Sequence, residues 1–166
     1  MELLKNTNRI SDFAEVEVDV DTIAKALGVS AEEYVESVTG TTLSGISEQW
    51  VANKLKAKRI LGEQLKWDVV AFHRLRKKIE VRNICLTSEI SFAPSTARGK
   101  GRFFEVSTFL DKLESIDSYV FVDLRDRLRT NPKLYEISSD EVLELYRSGV
   151  LNKKAAIGKT RFFKTF

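Results

Sequence analysis

The hydrophobic positions of this chain change period several times, and each change marks a predicted element. Val16, Val18 and Val20 follow a polar opening and alternate with acidic residues, which predicts an edge strand. Residues 21–27 and 31–38 read as two short helices broken at Gly28, followed by a turn at Thr39-Gly40-Thr41-Thr42. Ser44 is placed as the N-cap of a longer helix running to about residue 61. Ile46, Trp50, Ala57 and Ile60 lie on its apolar side, and Gly62 closes it. Residues 65–73 and 78–86 are β-rich runs joined by Arg74-Leu75-Arg76-Lys77, the pattern of a hairpin, and residues 88–92 add a third short strand.

Residues 94–102, rich in Gly and small polar side chains, form a loop. A helix follows over 103–116 with Phe109, Leu110 and Leu113 inward. Residues 118–124 make a near-continuous buried strand, 134–137 a shorter one, and 139–147 a helix ended by Gly149. From Ser44 onward the order is helix, three strand-like segments, helix, strand, strand, helix. That is an α/β (mixed α+β) chain, one sheet with helices against it. Its 166 residues suit a single fold unit. Residues 1–43 read as a small N-terminal helical segment suited to packing or dimerisation, and 44–166 as the core with a basic C-terminal tail.

A hydrophobic fraction of 43% supplies a real core and excludes wholesale disorder. A single cysteine, Cys85, excludes an intramolecular disulfide framework and a Cys-based zinc ribbon, and points to a reducing, cytoplasmic compartment. The longest apolar runs, such as residues 119–122, are far short of the roughly 20 residues a membrane span needs, so no membrane association is expected.

Charge changes the picture more. Residues 1–48 carry a balance of −7, residues 49–102 a balance of +9 and residues 103–166 a balance of +1. So basic a central block in a chain of net charge +3 suggests a face for a polyanion, with an ordinary solvated surface as the alternative. The acids inside that block are Glu63, Asp68, Glu80 and Glu89.

Two of these acids meet if the hairpin turns near Arg74–Arg76. Asp68 then lies opposite Glu80 to within about two residues, and facing side chains of an antiparallel pair have Cβ atoms about 4.5–5.5 Å apart. Glu80 and Arg82 share a strand face. Two carboxylates brought together repel unless a cation sits between them. Mg²⁺ takes oxygen ligands and is commonly held by one or two carboxylates plus substrate phosphate. The alternative is a surface hairpin with a Glu80–Arg82 ion pair.

Asp68, eleven residues, then Glu80-Val81-Arg82 resembles the PD-(D/E)xK motif of the restriction-endonuclease-like nucleases. The surrounding order of helix, β-meander carrying the motif, helix and strand also resembles that fold's core, a central mixed β-sheet flanked by helices. Glu48, in the first turn of the preceding helix, resembles the acidic residue that many members supply from that helix. Tyr119-Val120-Phe121-Val122-Asp123 with Leu134-Tyr135-Glu136-Ile137 and the helix after it resemble the closing elements of small restriction enzymes. The resemblance spans about residues 44–148. It implies that Asp68, Glu80 and the Val81 carbonyl hold Mg²⁺, and that Glu48 binds a second ion or orients a metal-bound water. Arg82 stands where the family has lysine. It can stabilise developing negative charge but is effectively never deprotonated, so it cannot act as a base. The same triplet pattern recurs at Asp123-Leu124-Arg125, at the end of a buried strand and without a hairpin partner.

Under this reading Ser95, Thr96, Arg98, Lys100 and Arg102 form a DNA-reading loop, with glycines permitting close backbone approach and arginine suited to guanine. Lys159 and Arg161 would touch phosphates, or else belong to a solvated tail. Other features carry less. Residues 23–30 resemble the start of a helix-turn-helix, but Glu32, Glu33 and Glu36 on the next helix would repel phosphate. His73 is the only histidine, so a serine-type triad lacks its usual base. Cys85 reads as a buried thiol rather than a nucleophile. Gly158-Lys159-Thr160 matches the end of a P-loop, but Lys153 stands where its first glycine belongs.

The resulting expectation is a Mg²⁺-dependent, site-specific endonuclease of double-stranded DNA, resembling type II restriction enzymes and acting as a homodimer because a duplex has near two-fold symmetry. The alternatives are a homing endonuclease or junction resolvase of the same fold, and a non-catalytic DNA-binding module or regulator.

Overall fold

In the computed structural model, the described residues are 19–37, 43–60, 67–71, 76–85, 89–94, 103–125 and 133–165. Asp19 opens the first of these segments. Its carboxylate accepts the Thr22 backbone N–H at 2.9 Å and caps α1 (Val20–Leu27). The expected edge strand is therefore corrected at Val20, which the Asp19 cap turns into the first helical residue; Val16 and Val18 lie outside the described residues. Gly28, at φ 74°, ends α1 in the left-handed conformation that glycine adopts without steric cost. Ser30 and Glu33 then cap α2 (Ala31–Ser37) reciprocally.

Helix α3 (Ser44–Lys54) is shorter than its sequence suggests. Leu43 rather than Ser44 occupies the N-cap, with no side-chain cap, and the helix stops before Lys56, whose φ is +47°. Its buried side is Ser47, Val51 and Ala52, continued by Leu55, whereas Ile46 is exposed. The two residues of β1 (Lys58–Arg59) occupy chain that the hydrophobic pattern assigned to the helix.

The hairpin forms as expected from β2 (Val69–Ala71) and β3 (Lys77–Ile84), paired antiparallel with Val69 opposite Ile79 and Ala71 opposite Lys77. Helix α4 (Val106–Ser115) follows, and then β5 (Ser118–Asp123), buried along its whole length, lies parallel to β3. β6 (Leu134–Ser138) adds antiparallel to β5, giving the order β1-β2-β3-β5-β6 in a mixed sheet flanked by helices. A strand buried on both faces reads as a continuous apolar run, which is why residues 119–122 were legible as its centre. The third short strand predicted at 88–92 exists as β4 (Glu89–Ser91). It leaves the main sheet and pairs with β7 (Ala156–Gly158).

Side-chain alternation sorts the sheet into two faces. Val69, Ala71, Ile79, Val120 and Val122 pack with Val51, Ala52 and Leu55 of α3. The opposite face carries Ile84, Tyr119 and Phe121, covered by Phe109 and Leu113 of α4 and by Val142 and Leu145 of α5 (Ser139–Arg147). Phe92 meets Tyr119 and Phe121 edge-on at 5.5 and 5.0 Å. The C-terminal stretch is corrected from tail to structure. α6 (Lys159–Thr165) buries Phe162 against Phe121 and Tyr135, an aromatic anchor that an alternation of basic and aromatic residues conceals.

Among the described residues, no helix is long and apolar enough to cross a membrane. The start of α5 is held by a capping box, with the Ser138 hydroxyl accepting the Glu141 N–H and the Glu141 carboxylate accepting the Ser138 N–H. Ser138→Ala is expected to lower folding stability by about 0.5–2 kcal/mol, measured by urea denaturation. Ser138→Asp is expected to recover most of the loss.

Candidate active site

Asp68 immediately precedes β2, one residue before the terminal β2–β3 pair of Val69 with Ile79, and Glu80 follows Ile79 on β3. The Asp68 N–H donates to the Ile79 carbonyl at 3.0 Å rather than to Glu80, so the regular ladder ends at Val69. The side chain then folds toward the neighbouring strand, and its Oδ2 accepts the Val81 N–H at 2.7 Å. Glu80 is buried and Asp68 half-buried. Asp68 and Glu80 lie close enough for the Glu80 charge to act on the Asp68 carboxyl.

Burial is the main reason the Asp68 carboxyl is pushed up to about 7, from an ordinary 3.8. The neighbouring Glu80 charge pushes in the same direction, as does that of Glu48, while the Val81 N–H and the Lys112 charge pull back. Glu48, on α3, is thus close enough to act on Asp68. It shares a helix face with Val51 and Leu55, three and seven residues on, and is half-buried. Its Oε2 accepts the Arg59 Nε–H at 2.7 Å. A Cβ at Gly45 would stand 2.7 Å from an Arg59 guanidinium nitrogen, so the bare backbone there makes room for this pair.

Both oxygens of Glu80 are occupied by cations. Oε1 faces Arg82 Nη2 at 2.8 Å, and Oε2 accepts from the ammonium of Lys112 on α4. Arg82 is anchored a second time, its Nη2 donating to the Ala93 carbonyl at 3.3 Å; its Nε is buried with no acceptor among the described residues. Beside it the Tyr119 hydroxyl donates to the Phe92 carbonyl at 2.8 Å, and burial pushes that phenol well above its usual range. Arg82 therefore ties β3 to the segment around Ala93.

Lys112 was not foreseen. It sits three residues after Phe109 and one before Leu113, on the inward side of α4, and is itself buried. The signal was available, since a lysine in the apolar phase of an amphipathic helix must find a carboxylate or reach water. Asp123 and Arg125 pair with each other at 2.7–2.8 Å, and Arg125 stacks on Phe163, so that second triplet closes on itself. Lys159 is half-buried with Nζ 3.5 Å from the Cys85 carbonyl, and Arg161 is exposed on α6. Ser95, Thr96, Arg98, Lys100 and Arg102, like Glu63 and His73, lie outside the described residues.

Among the described residues, no three His, Cys, Asp or Glu side chains are grouped so as to hold a metal ion by themselves. The carboxylates nearest one another are those of Asp68 and Glu80, with the Glu48 charge also acting on Asp68. Comparisons with family models, with curated proteins and with solved structures find no match for this chain.

The raised Asp68 carboxyl has a consequence for stability. Between about pH 4 and 7 the folded chain keeps a proton that the unfolded chain has released, so stability falls as pH rises through this window and levels off above it. Asp68→Asn cannot ionise and escapes that loss. In EDTA it is expected to be more stable than wild type at pH 8, on the order of 2–4 kcal/mol, with the gap closing as pH falls toward 4. Denaturant melts at pH 5 and pH 8 test this, and a variant less stable than wild type at pH 8 would contradict the assigned burial.

Proposed function

We propose that this chain is a Mg²⁺-dependent endonuclease of double-stranded DNA with a restriction-endonuclease-like core. The observation that supports the reading is the nearness of Asp68, just before β2, to Glu80 of β3: the Asp68 Oδ2 accepts the N–H of Val81, next to Glu80, and the Glu80 charge acts on the Asp68 carboxyl. The order α3, β2, β3, β4, α4 and β5 supports it, as helix, β-meander, helix and strand is the order the resemblance implies, although β4 leaves the main sheet to pair with β7.

The donor chemistry fits a hard divalent ion. Two carboxylates suffice when phosphate and water complete the shell. A residue's N–H and C=O point to the same edge of its strand, so the Val81 carbonyl faces the Asp68 side as its N–H does. Bound there, Mg²⁺ would polarise the scissile phosphate and lower the pKa of a coordinated water. Asp68 would give up its proton to become a ligand, and Glu80 would release one of its two cations. Glu48, now paired with Arg59, stands at the edge of this group and would orient water rather than ligate directly. Arg82 holds the Ala93 carbonyl beside β3.

One observation favours a second reading, a DNA-binding module without catalysis: both Glu80 oxygens are already neutralised by ion pairs. Plasmid DNA incubated with Mg²⁺ or EDTA separates the two. The nuclease reading expects Mg²⁺-dependent strand breakage that Asp68→Ala and Glu80→Ala each reduce by about 10²-fold or more, and a Mg²⁺-induced rise in Tm that both variants lose. Binding without breakage in either condition would establish the module instead.

A further inference from the structure

Resting on the DNA reading in either its nuclease or its module form, we propose that the outer side of α6, with Lys133 beside it, grips the phosphate backbone of the duplex. Residues 103–166 are nearly neutral in sequence, but folding sorts their charges. Asp111 and Glu114 on α4 and Asp140 and Glu144 on α5 are exposed, which makes the outer layer of those helices acidic. α6 carries Lys159, Arg161 and Lys164 and no acid. Lys159 is half-buried, its Nζ 3.5 Å from the Cys85 carbonyl. Arg161 and Lys164 are exposed, and three residues apart they are neighbours on one side of the helix. Neither has a carboxylate partner among the described residues. Lys133, also exposed, directly precedes β6, and its carbonyl accepts the Asp123 N–H at 2.8 Å. Two residues on, Tyr135 meets the Phe163 ring of α6 at 5.6 Å, and Arg125 lies over the same ring at 3.7 Å.

The apolar side chains decide what kind of partner fits. A protein interface places an apolar centre inside a polar rim, and a membrane-surface helix turns its aromatic side chains outward into lipid. Phe162 is buried and Phe163 half-buried, both engaged with Tyr135, so α6 offers outward charge without outward apolar surface. That suits a regular polyanion, whose phosphates are bound by lysine and arginine whatever the base sequence. The position suits the duplex of the DNA reading. Phe162 packs at 5.3 Å on Phe121, whose partner across the β3–β5 ladder is Arg82, two residues beyond Glu80 on the same strand. Alternation puts Glu80, Arg82 and Phe121 on one sheet face, with Glu80 and Arg82 about 7 Å apart along the strand. α6 is thus anchored on the face that carries Glu80.

The test measures affinity for a fluorescein-labelled duplex in EDTA by anisotropy over a KCl series, with Tm as the check on folding. Arg161→Gln/Lys164→Gln is expected to keep the wild-type Tm, to bind about tenfold more weakly, and to flatten the slope of log affinity against log salt by about two, roughly one for each lost cation. Lys25→Gln/Arg147→Gln, which removes the same charge from α1 and α5, is expected to bind like wild type. Thr160→Lys, exposed one turn before Lys164, is expected to bind more tightly with a steeper slope. A folded Arg161→Gln/Lys164→Gln with wild-type affinity and slope, or a control pair that weakens binding equally, overturns the assignment to α6 and leaves the DNA reading standing. Should the double variant fail to fold, unchanged affinity and slope in Thr160→Lys overturn it instead. A wild-type chain that shows no salt-dependent affinity for the duplex, or that prefers anionic vesicles to it, overturns both.

Discussion

The β2–β3 ladder ends at Val69 and Ile79 with Asp68 and Glu80 in the adjoining positions, near enough for one charge to act on the other, and like charges so placed repel unless something intervenes. The backbone enforces the encounter. A one-residue slip would separate them, but it would also turn Val69 and Ala71 away from α3 and expose the apolar face they complete. The core thus holds the acids together against their own electrostatics. Relief comes locally, from the Val81 N–H on Asp68, from Arg82 and Lys112 on Glu80, and from the proton that Asp68 retains up to about pH 7.

The parallel pairing of β3 with β5 supplies the rest of the arrangement. Parallel neighbours cannot be joined by a tight turn, so the chain must cross over, and it does so through α4. That crossover helix lies on the Glu80 face, where Phe109 and Leu113 fix its rotation against Tyr119 and Phe121. With the rotation fixed, Lys112 has one direction available, and Glu80 lies along it. The same apolar contacts that stabilise the sheet therefore aim the only lysine of the helix at the carboxylate pair. On the other face, α3 carries Glu48 toward Asp68 by the same logic, through Val51 and Leu55.

Much of this was legible in the sequence, and the reasons differ by element. The hairpin followed from two β-rich runs and a short polar joint, which set its register only to within about two residues. The buried strand at 118–123 followed from an apolar run bounded by polar residues. Lys112 was missed because inward positions were chosen by hydrophobicity, and a buried ion pair is invisible until its partner, 32 residues away, is placed. β1 was missed because Lys58 and Arg59 have neither strand alternation nor β-branched side chains; only the positive φ at Lys56 breaks the helical pattern. β4 was recognised as a strand but given the wrong neighbour, since its partner β7 lies far along the chain, in a stretch whose basic residues suggested a tail.

The cluster as a whole works against the stability of the fold. A buried lysine on an otherwise apolar helix face is often replaceable by a well-packed hydrophobic residue at no loss, and a carboxyl with its pKa near 7 destabilises the folded chain at neutral pH. Neither feature is needed to close the core. Phe92, Phe109, Tyr119 and Phe121 already fill this side of the sheet, and α3 seals the other. Groups that a fold retains against its own stability, converging from two strands and a crossover helix, are what a functional site requires and what packing alone does not explain. Nor does a simple surface ion pair suffice: Glu80 would need one cation for that, and it has two, one on each carboxylate oxygen.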